Sequence, residues 1–287
     1  MVKLVDADIK TREVLEWKGV HVLHFMGSSC SQKLRVYLNL KGIPWQSHHI
    51  DLPANENFHP WFLGINPRGL VPVLVHDGAV HIESNDIITY LEGVFPTPRL
   101  VPPGHEDGVA KLLKHEDDLH LALRTLSFRF VFAPPGPPKS AKALRSYATG
   151  GSGTVQGIVD REKQAQIEYW QRAGKEGFTD EAVRTSARRF RTEFDAIDKI
   201  LAQQPYLMGD APTVLDIAWL IYAHRLSLAG YPFKRLHPRV FAWKDALSSR
   251  PEFAKEIAPT RRPQDLRPGE GQQQTPARST LEIVAEL

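Results

Sequence analysis

Apolar positions recur along this chain with two different periods, and the change of period divides it. Val20–Phe25 alternates weakly and is rich in Val, His and Leu, which predicts a short strand. Met26-Gly27-Ser28-Ser29-Cys30-Ser31 follows. In the next run, Gln32–Lys41, Leu34, Tyr37, Leu38 and Lys41 fall at helical spacing before Gly42 stops it. Trp45–Leu52 predicts a second strand, and Phe58–Ile65 a short helix closed by Asn66-Pro67-Arg68-Gly69. Val73–Val75 and Ala79–Ile82 flank His76-Asp77-Gly78, and Asp-Gly between apolar runs signals a hairpin. Ser84–Phe95 is helix-periodic and ends before Pro96. After an N-terminal extension over residues 1–18, the order β-α-β-α-β-β-α predicts an α/β domain over 19–96.

Residues 97–106 are proline-rich and read as a stiff linker. Beyond them no convincing strand pattern occurs. Helical patterns cover roughly 107–130, 161–175, 179–202, 213–228 and 240–247, which predicts an all-helical domain over 107–260. Ala133–Gly157 interrupts the series with four prolines at its start and Gly150-Gly151-Ser152-Gly153 near its end, a long loop by pattern. Residues 261–287 are set apart as a C-terminal tail, polar and Pro/Gln/Gly-rich over Arg261–Pro276 and expected to be poorly ordered there.

The 287 residues are enough for about two domains. Lys and Arg number 36 against 33 Asp and Glu, and a net charge of +3 over that length gives no basic face for nucleic acid. No apolar run approaches the roughly 18–20 residues that span a bilayer, so no membrane partner is expected. The N-terminus lacks the apolar stretch of a signal peptide. Cys30 is the only cysteine, which excludes an internal disulfide and points to a reducing, cytoplasmic setting.

Chemistry is most concentrated at Gly27–Ser31, where a strand runs into a helix. Unpaired N–H groups and the helix dipole stabilise an anion there, and hydroxyls can donate to a thiolate. Serine also simply caps helices, and the segment alone leaves both readings open. Pro72 opens a strand. If the Val71-Pro72 bond is cis, Val71 turns its N–H and C=O outward toward a peptide-like ligand; a trans proline at an edge strand is the alternative. Glu83-Ser84 precedes a helix, where Ser84 can cap it or face a carboxylate and Glu83 can accept from an ammonium.

In this order and spacing the segments resemble the glutathione transferase superfamily, over about residues 20–260. Ser28–Gly42 is similar to the Ser-Ser-Cys signature of the zeta class. Ile65-Asn-Pro-Arg-Gly-Leu-Val-Pro72 and Ile82-Glu-Ser-Asn-Asp-Ile-Ile-Thr-Tyr-Leu91 are similar to the superfamily's cis-proline and γ-glutamyl segments, and Met208–Ala218 to its capping box. The resemblance implies a thioredoxin-like α/β N-terminal domain followed by an all-α domain, with glutathione as co-substrate and no metal. It places Ser28 at the sulfur and Val71 and Pro72 at the cysteinyl part. Glu83 and Ser84 fall at the γ-glutamyl part, and Asn57 at the glycyl end. Ser29 and Cys30 line the same turn. Cys30 stands two places beyond the slot where thioredoxin relatives keep their first cysteine, so a packed side chain is expected rather than a nucleophile. A β-etherase alignment puts a serine at Ser31 instead, so Ser28 and Ser31 are both candidates for the sulfur partner.

Thr213 and Asp216 predict a capping box, a structural pair. Seven of the twelve histidines precede residue 82, but His48 and His49 are adjacent on a strand and face opposite sides, and no spacing matches a metal site. The expected activity is therefore glutathione transfer to a small apolar or aromatic electrophile. The longer second domain is closer to bacterial β-etherases, which use glutathione to displace an aryloxide from lignin-derived ketones. β-Aryl ether cleavage is thus the first alternative, ahead of a maleylacetoacetate-type isomerase and of a non-catalytic ligand- or partner-binding member. Superfamily members are usually homodimers, and the same is expected here.

Overall fold

The computed structural model describes residues 1–133, 137–257 and 280–287. In chain order its elements are β1 (Val2–Lys3), β2 (Val20–His24), α1 (Ser29–Lys41), β3 (Gln46–His49), α2 (Pro60–Leu63), β4 (Val73–His76), β5 (Ala79–Ile82) and α3 (Ser84–Val94). There follow α4 (Glu106–Asp117), α5 (His120–Ser127), α6 (Ala141–Thr149), β6 (Thr154–Val155), β7 (Ile158–Val159) and α7 (Glu162–Glu176). The last are α8 (Asp180–Ile200), α9 (Val214–Ala229), α10 (Phe233–Leu236), α11 (Pro238–Ser248), α12 (Pro251–Ile257) and α13 (Thr280–Ala285).

The chain divides into two compact units. One comprises Met1–Pro98 and Gly136–Gly177, the other Arg99–Pro135 and Phe178–Leu287. The first is built on a five-stranded sheet of order β1-β5-β4-β2-β3. β2 and β3 are parallel, joined by α1, and every other pairing is antiparallel. The β4–β5 turn puts Asp77 at φ 48° and Gly78 at φ 79°, the two left-handed positions that a tight hairpin turn needs. α1 ends where Gly42 adopts φ 65°, as the pattern predicts.

Three sequence expectations differ from this architecture. The extension 1–18 is part of the sheet domain: Val2 pairs with Ile82, and Leu4, Ile9 and Val14 are buried in its core. The long loop contains the helix α6 and the two-stranded hairpin β6–β7, and the segment from 137 to 177 packs with the sheet unit rather than with the helices. Val155 enters the same core as Leu23, Phe62 and Val73, and the Tyr147 ring stacks on Phe58 at 4.2 Å. Asp8, fully buried, accepts from Thr154 Oγ1 (2.7 Å), Gln156 N (2.7 Å) and Gly157 N (3.0 Å). These partners lie well over a hundred positions apart, beyond the reach of any local pattern. The third difference is the tail. Its stretch 261–276 lies outside the described residues, whereas α13 packs on α8 with Leu281 fully buried.

Among the described residues of the second unit the regular elements are helices, with one isolated bridge between Tyr206 and Gly209. α8 buries one face (Val183, Ala187, Phe190, Phe194, Ile197), while α9 is buried nearly all round. Among the described residues no helix is long and apolar enough to cross a membrane.

Candidate active site

The register of the sheet decides which loops meet. Leu23 pairs with Val73, and Val73 with Ile82. The chain leaving β2 (Phe25–Ser28), the chain entering β4 (Leu70–Pro72) and the chain leaving β5 (Glu83–Ser84) therefore emerge at one end of the sheet. β3 runs parallel to β2, with His49 opposite His24, so the segment carrying Asn57 starts from that end too. Residues 28, 57, 71 and 83, scattered in the sequence, converge because one parallel and two antiparallel pairings terminate there.

Ser28 is the N-cap of α1, and its Oγ accepts from the Ser31 N–H at 3.3 Å. It is half-buried, and Cys30 is half-buried in the first turn. Ser29 is buried. Ser31 is fully buried, with its Oγ 3.5 Å from the Phe25 N–H that donates to it. The turn before Ser28 is held by a residue that the sequence reading did not single out. Arg35, on α1 and buried, donates to the carbonyls of Phe25 (3.2 Å) and Met26 (3.1 Å) and to His24 Nδ1 (3.1 Å). Burial, then the Arg35 charge, push the His24 pKa down to about 3. The ring is thus neutral at physiological pH and Nδ1 can accept from the guanidinium. A charged residue inside an apolar helical stripe was the available signal.

The Val71-Pro72 bond is cis. Among the described residues, no backbone hydrogen bond outside the strand ladders involves Val71. The loop before it is braced from behind. Asn66 Nδ2 donates to the Leu70 carbonyl (2.8 Å), and Asn66 Oδ1 accepts from the Arg68 N–H (3.0 Å). Asn57, also buried, donates to the Gly69 carbonyl at 2.7 Å. Its Nδ2 thereby braces the loop, while its buried Oδ1 has no hydrogen-bond partner among the described residues.

Glu83 occupies the N-cap position of α3 at φ 66°, a left-handed conformation that is costly for a residue with a side chain. Ser84 is the first helical residue and does not cap the helix, contrary to the capping role expected of it; it is buried. Glu83 Oε1 accepts from Arg68 Nη1 at 2.5 Å. Arg68 also forks onto Asp160, Nε to Oδ2 at 3.0 Å and Nη2 to Oδ1 at 2.9 Å. Despite its burial, these two carboxylates hold the Arg68 pKa above its ordinary value. Neither Arg68 nor Asp160 was a sequence candidate, because a solvated arginine in a turn and an acid in a long loop carry no local signal. Among the described residues no group of three or more His, Cys, Asp or Glu is placed to hold a metal ion.

The sheet order, the serine at the head of α1 and the proline-led strand β4 define a thioredoxin-like domain coupled in sequence to a helical one, the architecture of the glutathione transferases. The family models agree. The "Glutathione S-transferase, N-terminal domain" matches residues 27–94 and the "Glutathione S-transferase, C-terminal domain" residues 180–246, so the chain is similar to the glutathione transferases in both of its parts and in their order. Among curated relatives, it is 27% identical over 236 residues to Protein LigF of Sphingobium sp. (strain NBRC 103272 / SYK-6), covering 79% of this chain and 88% of that one. It is 41% identical over 78 residues to a zeta-class glutathione S-transferase of Euphorbia esula, 27% of this chain. Such short matches span between 34% and 44% of those curated relatives' own length. The crystal structure of the β-etherase LigF from Sphingobium sp. strain SYK-6 superposes with a TM-score of 0.71 at 24% identity, over 84% of this chain and 99% of that one.

Proposed function

We propose that this enzyme binds glutathione at the loop-bearing end of the sheet and activates its thiol at Ser28 for attack on a small apolar electrophile. The observation that carries the reading is the Ser28 hydroxyl. It caps α1 as an acceptor, so its own proton remains to be donated to sulfur, and it does so at the positive end of a helix of 13 residues. Ser31 is less suited, since its oxygen is buried against the Phe25 N–H. In this reading Val71 pairs its outward backbone groups with the cysteinyl part, Pro72 fixes that segment, and Glu83 receives the γ-glutamyl ammonium, with Ser84 beside it. Ser29 and Cys30 complete the turn around the sulfur, and Asn57 acts through the Gly69 carbonyl. No metal takes part.

Lowering a thiol pKa by two units requires about 2.7 kcal/mol of preferential thiolate stabilisation. One hydrogen bond to a charged acceptor together with the helix terminus supplies that order of energy. The thiolate then forms a C–S bond while the leaving group departs with its electron pair. The test is ultraviolet difference absorption of the thiolate band against pH, with turnover, in Ser28→Ala, Ser29→Ala, Cys30→Ala and Ser31→Ala. Ser28→Ala is expected to raise the thiol pKa of bound glutathione and cut turnover about ten- to a hundredfold, with Cys30→Ala mild. Full activity and an unmoved titration in Ser28→Ala, or a glutathione adduct on Cys30, overturns it.

A second reading, β-aryl ether cleavage, is favoured by the similarity to LigF along most of both chains. Here the thiolate attacks the ether carbon, C–S forms, C–O breaks, and the aryloxide takes a proton from solvent. Product analysis with a β-aryl ether dimer, beside chlorodinitrobenzene and maleylacetone, separates this reading from general transfer and from isomerisation. Lignin-derived aromatics as substrates, a homodimeric state and a cytoplasmic location belong to the same proposal.

A further inference from the structure

Residues 95–179 lie between the two family domains, and part of that stretch returns to the sheet unit. Its Asp160 reaches the candidate site. The Asp160 carboxylate grips Arg68 through both oxygens, at 2.9 and 3.0 Å, and Arg68 in turn holds Glu83 at 2.5 Å. Side-chain exposure rises along this chain of contacts, from 8% at Asp160 through 17% at Arg68 to 37% at Glu83, so Glu83 is the member open to a ligand. The Arg68 backbone is fixed on both sides: its N–H donates to Asn66, and its carbonyl accepts from the Tyr147 hydroxyl at 2.5 Å. What remains to be set is the direction of a long, flexible side chain, and a bidentate carboxylate does that.

Charge gives a second reason. Arg68 alone would neutralise Glu83. With Asp160 the trio sums to −1, which keeps the site attractive to a cation. A carboxylate offers about four acceptor positions, so the contact at Oε1 does not exhaust Glu83. Lys163, which also feels the Asp160 charge, gives its hydrogen bond to the Gly150 carbonyl at 2.6 Å.

We infer that Asp160 is a positioning residue for glutathione: it orients and charge-balances Arg68 so that Glu83 is presented to the γ-glutamyl ammonium. The inference rests on the function proposed above. The experiment is calorimetric binding of glutathione and of its deaminated analogue, glutaryl-cysteinylglycine, to the full-length wild type, Asp160→Asn and Asp160→Glu, with thermal midpoints as the check on folding.

The wild type is expected to prefer glutathione over the analogue by about tenfold, the scale of one hydrogen bond to a charged group. Asp160→Asn is expected to lose most of that preference, weakening glutathione about tenfold while leaving the analogue within about twofold. Asp160→Glu, which keeps the charge, is expected to retain the preference at least in part. A purely structural role would weaken both ligands alike in both variants, and that outcome overturns the inference. So does a wild-type preference that persists in Asp160→Asn. If Asp160→Asn does not fold, Asp160→Glu is read alone, and complete loss of preference in a folded Asp160→Glu counts against the inference. A wild type that binds neither ligand brings down the proposed function, and this inference with it; binding without preference refutes the role of Glu83 and Asp160 only.

Discussion

Asp216 sits at the start of α9 with no exposed surface, and its two oxygens accept four hydrogen bonds. Oδ2 takes the Thr213 N–H (2.8 Å) and the Thr213 hydroxyl (2.9 Å). Oδ1 takes the Leu207 N–H (2.9 Å) and the Trp243 indole N–H (3.1 Å). One carboxylate thus ties a helix start, the loop before it and α11 together. Asp216→Ala strands all four donors. The Leu207 amide is half-buried and can reach water, and the Thr213 hydroxyl can rotate. The Thr213 amide and the Trp243 indole have no such relief, and each orphaned donor costs about 1–3 kcal/mol. Against this, the variant recovers the cost of burying the carboxyl, which outweighs these hydrogen bonds enough to raise the Asp216 pKa above its ordinary value. A net loss of about 3 kcal/mol follows, which lowers the thermal midpoint of a unit this size by about 10 °C. Far-ultraviolet circular dichroism on heating, with chemical denaturation alongside, measures it. The pH dependence has a definite sign. Because the folded pKa is the higher one, the fold favours the protonated carboxyl. Its contribution is greatest below the ordinary value of 3.8 and falls as pH rises through the folded value. The gap between wild type and Asp216→Ala should therefore narrow with rising pH across that window. A midpoint shift of less than about 3 °C, or a gap that widens, refutes the reasoning.

Gly69 has φ 62°, and a Cβ there would stand 2.8 Å from Tyr147 Cε2 and 3.2 Å from the Asn57 carbonyl oxygen, so Gly69→Ala should destabilise the protein by about 1–3 kcal/mol in thermal melts, and a neutral melt would count against the loop geometry. Asp8 is drawn upward by burial, but hydrogen bonds from Val5, Thr154, Gly157 and Gln156 outweigh this and lower its pKa. Its stabilising contribution is then complete above the ordinary value of 3.8 and lost as pH falls through the folded value, and Asp8→Asn should flatten that acid limb of the stability curve. Light scattering at micromolar concentration is expected to give twice the 32.3 kDa chain mass; the monomer mass would exclude the homodimer.

Local chemistry was legible along the chain wherever neighbours in sequence are neighbours in space. The serine at the head of α1, the Gly42 stop, the Asp77-Gly78 hairpin and the Thr213–Asp216 pair all lie within a few residues of what they act on, so spacing and turn chemistry suffice to find them. The sheet domain followed from the same patterns, because strand and helix periods differ. The partition of the chain did not follow. Residues 137–177 are by pattern a long loop and a helix, and pattern groups them with the helices that follow, yet Val155 and Tyr147 bury within the sheet unit and Thr154 hydrogen-bonds Asp8 across 146 positions. The same holds at the site. Ser28, Val71 and Glu83 could be named from motifs, but only strand register brings them to one edge, and only the tertiary fold sets Asp160 against Arg68 across ninety-two positions. An ion pair of that span leaves no periodicity, since its geometry comes from packing of distant segments and not from the backbone rise between its two ends.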